Sequence, residues 1–263
     1  MKGFFERLEA RSRSAGSLVC VGLDPDYRWH SPADVVVYNR AIIEATAPFV
    51  ACYKPNIAFY EQWGIAGLRA LEETLAAIPG DVPVIGDVKR GDIGNTAEAY
   101  ARAMFEAWGF DAVTLSGYMG RDTVEPFLAY ADRGVYVLCR TSNPGAAEFQ
   151  GRRLEDGQFL FEAMAVAAAG WGPSVGLVVG ATAPAELRRV RELAPATPLL
   201  VPGVGAQGGS PAEVVAAAGG EPGKVLVNAS RSVYYAGEGL RFAQAAGEAA
   251  RDLRDRLNVA AGR

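Results

Sequence analysis

In the segment Gly86-Asp87-Val88-Lys89-Arg90-Gly91-Asp92-Ile93-Gly94-Asn95-Thr96, a carboxylate and an ammonium stand two residues apart, with a second carboxylate three further on. On a strand, Asp87 and Lys89 would share one face. Asp92 falls past the apolar run, in a loop flanked by Gly91 and Gly94, where periodicity does not place it. A structural salt bridge is the plain reading of such a pair. Against it, an ion pair taken out of water is costly to desolvate, and charges gathered in a cleft commonly serve a site. Lysine can yield a proton at accessible pH and arginine cannot. Only four of the 26 basic residues are lysines (Lys2, Lys54, Lys89 and Lys224), so a lysine at a strand end calls for a reason.

Two further strand ends carry charge: Asp24 in Gly22-Leu23-Asp24-Pro25 and Lys54 in Cys52-Tyr53-Lys54-Pro55-Asn56. Each alone could be a structural cap. Together with Asp87 and Lys89 they alternate carboxylate and ammonium, and the carboxylates would raise the lysine pKa values. The run Val201-Pro202-Gly203-Val204-Gly205-Ala206-Gln207-Gly208-Gly209 formally matches the dinucleotide fingerprint GxGxxG. That fingerprint belongs to a first βα turn, with an acidic residue ending the next strand. Here the next strand ends in Asn228-Ala229-Ser230-Arg231. A phosphate site fits better: amides of the glycine loop including Gly208, the Arg231 guanidinium, and Gln207 as a neutral donor. A flexible turn with a surface arginine is the bland alternative. The stretch Arg140-Thr141-Ser142-Asn143-Pro144-Gly145 suits recognition of a polar ring edge, but is also ordinary turn chemistry.

Eight short apolar runs must position these residues: Leu18–Leu23, Phe49–Tyr53, Val82–Val88, Ala112–Leu115, Val135–Cys139, Val175–Val179, Leu199–Val201 and Val225–Val227. Between them lie helical patterns such as Gly67–Ala77, Thr96–Trp108, Ala183–Leu193 and Pro211–Ala218. Continuous apolar strands alternating with helices imply a parallel sheet covered on its outside. Eight repetitions fit an α/β (β/α)₈ TIM barrel better than an open doubly wound sheet, and chemistry then belongs at the C-terminal strand ends. No Pro-, Gly- or Ser-rich linker divides the chain, so residues 1–263 read as one barrel domain.

Composition narrows the classes. Half of the 263 residues are apolar, which excludes intrinsic disorder, and a formal net charge of −4 gives no basic field to gather nucleic acid or an anionic membrane. The single histidine, His30, argues against most zinc sites and histidine-based triads, and no metal site is expected. Cys20, Cys52 and Cys139 lie in apolar runs and read as buried free thiols of a reducing compartment. The N-terminal stretch is charged throughout, with Phe4, Phe5 and Leu8 at helical spacing, unlike a signal peptide; the expected location is cytoplasmic.

The segments GLDP at 22–25, YKPN at 53–56, DVKRGD at 87–92 followed by IGNT, RTSNPG at 140–145 and PGVGAQGG at 202–209 resemble the orotidine 5′-phosphate decarboxylase family, in its bacterial branch with the DVKRGDIGNTA signature. The resemblance runs from the first strand to the last. It implies conversion of orotidine 5′-phosphate to UMP and CO₂ in pyrimidine biosynthesis, without a cofactor, by a homodimer with composite active sites. In that family's terms Lys89 donates the proton to C6, and Asp87 lies against the substrate carboxylate. Asp92 and Thr96 arrive from the neighbouring subunit. Lys54 and Asp24 contact the ribose, Ser142 reads the pyrimidine edge and Pro202 borders the ring. Gln207 bridges pyrimidine and phosphate, and Arg231 grips the phosphate. Three other readings compete: a Mg²⁺-dependent sugar-phosphate decarboxylase or aldolase of the same superfamily, a Schiff-base aldolase using Lys89 or Lys54, and a catalytically silent nucleotide-binding barrel.

Overall fold

The apolar runs form eight parallel strands: β1 (Val19–Leu23), β2 (Cys52–Pro55), β3 (Ile85–Arg90), β4 (Ala112–Leu115), β5 (Gly134–Arg140), β6 (Val175–Val179), β7 (Leu199–Pro202) and β8 (Val225–Ala229). This is a computed structural model, and it describes residues 2–205 and 208–263. The strands pair in the order β2-β1-β8-β7-β6-β5-β4-β3. Parallel bridges Tyr53–Val84 and Asn56–Asp87 then bring the edges β2 and β3 together, so the sheet wraps into a (β/α)₈ barrel.

Strand boundaries differ from the apolar runs in one direction. Phe49 belongs to a 3₁₀ turn, Ala47–Phe49, built around Pro48, and pairing begins only at Cys52. Phe49 and Val50 are apolar because they pack on the core, not because they pair. At the other ends β2, β3 and β8 run two residues past the apolar stretch and β5 and β7 one, onto residues that are, Ala229 apart, polar, charged or proline. The helix expected over 96–108 starts at Gly94 and passes at Ala103 into a π turn ending at Ala107.

Inside the barrel, Cys20, Cys52, Ile85, Ala112, Tyr136, Val178, Leu200 and Leu226 form one apolar cluster with Phe4 and Leu8 of the N-terminal helix Phe4–Ser14. That helix closes the N-terminal end. A Cβ on Gly134, the first residue of β5, would lie 2.4 Å from the Phe4 ring, so glycine makes room for the plug. With that end filled, the opposite mouth is the open one. The three cysteines are buried and free. Among the described residues, no helix is long and apolar enough to cross a membrane.

Candidate active site

Strand side chains alternate, so the next inward position lies two residues beyond each member of the apolar cluster. Those positions are Gly22, Lys54, Asp87, Thr114, Leu138, Gly180, Pro202 and Asn228. The chain changes character within one step, from an apolar plug to a layer in which charge, hydroxyl, amide and glycine join only one leucine and one proline. The glycines let serines approach closely: a Cβ on Gly22 would lie 2.0 Å from Ser230 Oγ, and one on Gly180 would lie 2.9 Å from Ser142 Cβ.

The centre of this layer is a three-membered charge chain. Lys54 Nζ donates to Asp87 Oδ2 at 2.7 Å, and Lys89 Nζ donates to Asp87 Oδ1 at 2.5 Å. The Lys54 and Asp87 side chains are only 5% and 12% exposed, whereas Lys89 is 47% exposed and faces the opening. Burial alone would drive the Lys54 ammonium toward neutrality, but Asp87 and Asp24 outweigh it and raise its pKa above the ordinary lysine value. Burial likewise opposes ionisation of Asp87, and the two lysines override it, holding the carboxyl well below the usual range. Both groups therefore stay charged across the neutral range, a costly arrangement that good geometry sustains.

Asp87 and Lys89 meet, but not through the strand alternation on which the expectation from their spacing rests. The β3–β4 ladder is irregular between Gly86 and Arg90, and Lys89 has φ 45°, the one non-glycine among the described residues with positive φ. Such a conformation costs on the order of 1–3 kcal/mol and persists where its surroundings enforce it. The bulge turns Lys89 back over Asp87.

The other expected residues are placed as follows. Asp24 Oδ1 accepts from the Asn56 amide at 3.2 Å, which anchors it beside Lys54. Asp92 stays outside its own array: its Oδ1 accepts from the Ile93 amide at 2.8 Å, and it makes no ion pair among the described residues. Thr96 is exposed at the start of the following helix, Gly94–Arg102. Ser142 packs against Gly180 at the mouth, and Pro202 ends β7 opposite Asn228. Arg231 is exposed at the first position of the short helix Arg231–Tyr234 and has no carboxylate partner among the described residues. Gln207 lies outside the described residues. The amides of Gly205, Gly208 and Gly209 donate to Gly209, Gly205 and Gly203 oxygens at 3.1, 2.9 and 3.2 Å. These three amides bond within the loop, and glycine allows positive φ at 203, 205 and 208.

Sequence reasoning missed several residues of this site. Thr114 contacts Asp87 and the Lys89 backbone, yet within Ala112–Leu115 it reads as an ordinary strand residue. Gln150 holds the 140–145 loop, accepting from the Thr141 amide at 2.8 Å. The Tyr235 hydroxyl accepts from the Asp26 amide at 2.7 Å and donates to the Asp24 carbonyl at 3.4 Å, which steadies the turn after Asp24. A cavity of about 410 Å³ adjoins the mouth, lined in part by Ser116, Leu138, Thr141, Phe149 and Gln150. The signal available for Thr114 was its hydroxyl, which must find partners on a fully buried strand.

Comparison with known proteins agrees with this geometry. A model of the Orotidine 5′-phosphate decarboxylase / HUMPS family matches residues 17–246. Curated relatives named orotidine 5′-phosphate decarboxylase include one from Herpetosiphon aurantiacus, 50% identical over 92% of this chain and 93% of its own length. Another, from Thermomicrobium roseum, is 49% identical over 97% of this chain and 94% of its own. Among solved structures, the OMP decarboxylase of Leishmania donovani superposes with a TM-score of 0.89 at 40% identity, covering 99% of both chains. With a charge chain at the C-terminal mouth of an eight-stranded barrel and these relatives along almost its full length, the chain belongs to the orotidine 5′-phosphate decarboxylase / HUMPS family.

Proposed function

We propose that residues 1–263 form one barrel domain that decarboxylates orotidine 5′-phosphate to UMP and CO₂, in the cytoplasm and without a cofactor. The observation that carries this is the Lys54–Asp87–Lys89 chain, with Lys89 alone turned to the opening. Full-length relatives carrying the decarboxylase name support it over the sugar-phosphate and silent-barrel readings.

The C6–carboxylate bond breaks, CO₂ leaves, and the electron pair remains on C6 in the plane of the ring, where the π system does not delocalise it. Stabilisation must come from charge already in place. The Lys89 ammonium offsets the developing negative charge, then donates its proton to C6 and is left as an amine that solvent reprotonates. Asp87 aims Lys89, and its own charge opposes the substrate carboxylate until CO₂ departs. Lys54 and Asp24 hold the ribose, Ser142 and Pro202 the pyrimidine, Gln207 and Gly208 the stretch between ring and phosphate. In this reading Arg231 takes the phosphate, and contacts so far from C6 contribute to the transition state by closing the site.

The decisive assay follows the fall in ultraviolet absorbance as orotidine 5′-phosphate becomes UMP, with EDTA present. Steady turnover is expected. No turnover with EDTA, combined with Mg²⁺-dependent activity on a ketose phosphate, would replace this reading by the enediolate one.

Arg231→Ala should weaken UMP binding about 10- to 100-fold while barely changing the weak affinity for uridine, since a charge-assisted contact is worth roughly 1.5–3 kcal/mol. Titration with both ligands checks it. Unchanged UMP affinity would put the phosphate elsewhere.

The site is completed by a second copy of the chain, which brings Asp92 and Thr96. Three features support a homodimer. Asp92 is idle toward its own array. Ile93, Tyr118 and Met119, on the loops after β3 and β4, are exposed by 60%, 78% and 48%, apolar surface that a second copy would cover. A Cβ on Gly91 would sit 3.7 Å from Met119 Cε, so the loops after β3 and β4 lie side by side there.

A further inference from the structure

We infer that Thr114 is a positioning residue for Lys89, an inference that rests on the proposed role of Lys89 as proton donor. Thr114 lies on β4 and is 1% exposed. Its Oγ1 accepts from the amides of Val88 and Lys89, both at 3.0 Å, and donates to Asp87 Oδ1 at 2.9 Å. A hydroxyl has one proton and two lone pairs. All three are engaged, and all three reach the same three-residue stretch. The directions are forced, because two amides can only donate and an ionised carboxylate can only accept.

This hydroxyl does what the sheet cannot do at that point. The β3–β4 ladder lapses between Gly86 and Arg90 and resumes where the Ser116 amide donates to Arg90 O at 2.8 Å. Within the gap the amides of Val88 and Lys89 are taken up by one side chain. The same side chain binds the Asp87 oxygen that also receives Lys89 Nζ. Thr114 thus fixes both ends of Lys89: the backbone at φ 45° from which it departs and the carboxylate on which its ammonium rests. It acts through Asp87 and Lys89.

The test compares Thr114→Val, which keeps the shape without the hydroxyl, with Thr114→Ser, which keeps the hydroxyl without the methyl. Thr114→Ala serves as a second hydroxyl-free variant should the valine not fold, and Lys89→Ala runs alongside. For the hydroxyl-free variants kcat should fall about 10- to 100-fold, as expected for a misplaced catalytic group, with UMP affinity within about twofold. Thr114→Ser should stay within about threefold of the parent. The inference is overturned if a folded hydroxyl-free variant keeps the parental kcat, or if the serine variant is as slow as the valine. Normal turnover by Lys89→Ala would instead defeat the underlying reading. An inactive Lys89→Ala beside an unimpaired Thr114→Val defeats only the inference.

Discussion

Lys89→Ala lowers kcat by about 10⁴-fold or more and leaves UMP bound. Proton donation by a positioned group contributes roughly 10²–10⁴, and a preorganised charge at the developing anion a further 10²–10³. Both are lost together. UMP already carries hydrogen at C6 and has no carboxylate there, so its binding does not depend on the ammonium. Alanine keeps a Cβ at φ 45°, so the backbone strain is unchanged and the loss reports on the ammonium. Lys89→Arg sharpens the result: it preserves positive charge but offers no proton at accessible pH, and it should be nearly as inactive as alanine. Single-turnover decarboxylation and UMP titration measure the two halves. Near-parental turnover in Lys89→Ala would remove this residue from the chemistry.

Mixing two inactive variants, Lys89→Ala and Asp92→Ala, restores activity approaching half of the parental value per heterodimer. In a two-fold dimer each subunit completes the other's site in the same way. The heterodimer then holds one site with both defects and one with neither. This follows from Asp92 lying past β3 with no ion pair to its own lysines, beside exposed Ile93. Subunit exchange is verified independently, for example with differently tagged chains. Exchange without recovered activity places Asp92 in its own barrel and breaks the composite site.

The sequence-derived picture was strongest where charge interrupts an apolar run. Asp24, Lys54, Asp87 and Lys89 were legible because charged residues at strand ends have no role in a plain core, and three of them meet within hydrogen-bonding distance. The 203–209 glycines marked a special loop, but not that three of its amides close on the loop itself. Thr114 and Gln150 were not legible. A threonine in a strand and a glutamine after a turn are unremarkable until the fold shows what stands opposite.

The sequence by itself determined the barrel, the end of it at which charge gathers, and the charged residues that crowd there. It could do so because alternation and burial are local: a residue's neighbours two and four positions away reveal which face it takes. Only the tertiary structure decided which groups touch. Asp87 reaches Lys54 across 33 positions of chain and Thr114 across 27, contacts set by how β2, β3 and β4 lie side by side. The left-handed turn at Lys89 was decided there too. No local preference favours a lysine at φ 45°; at the bulge one buried hydroxyl on the next strand meets two amides and a carboxylate at once.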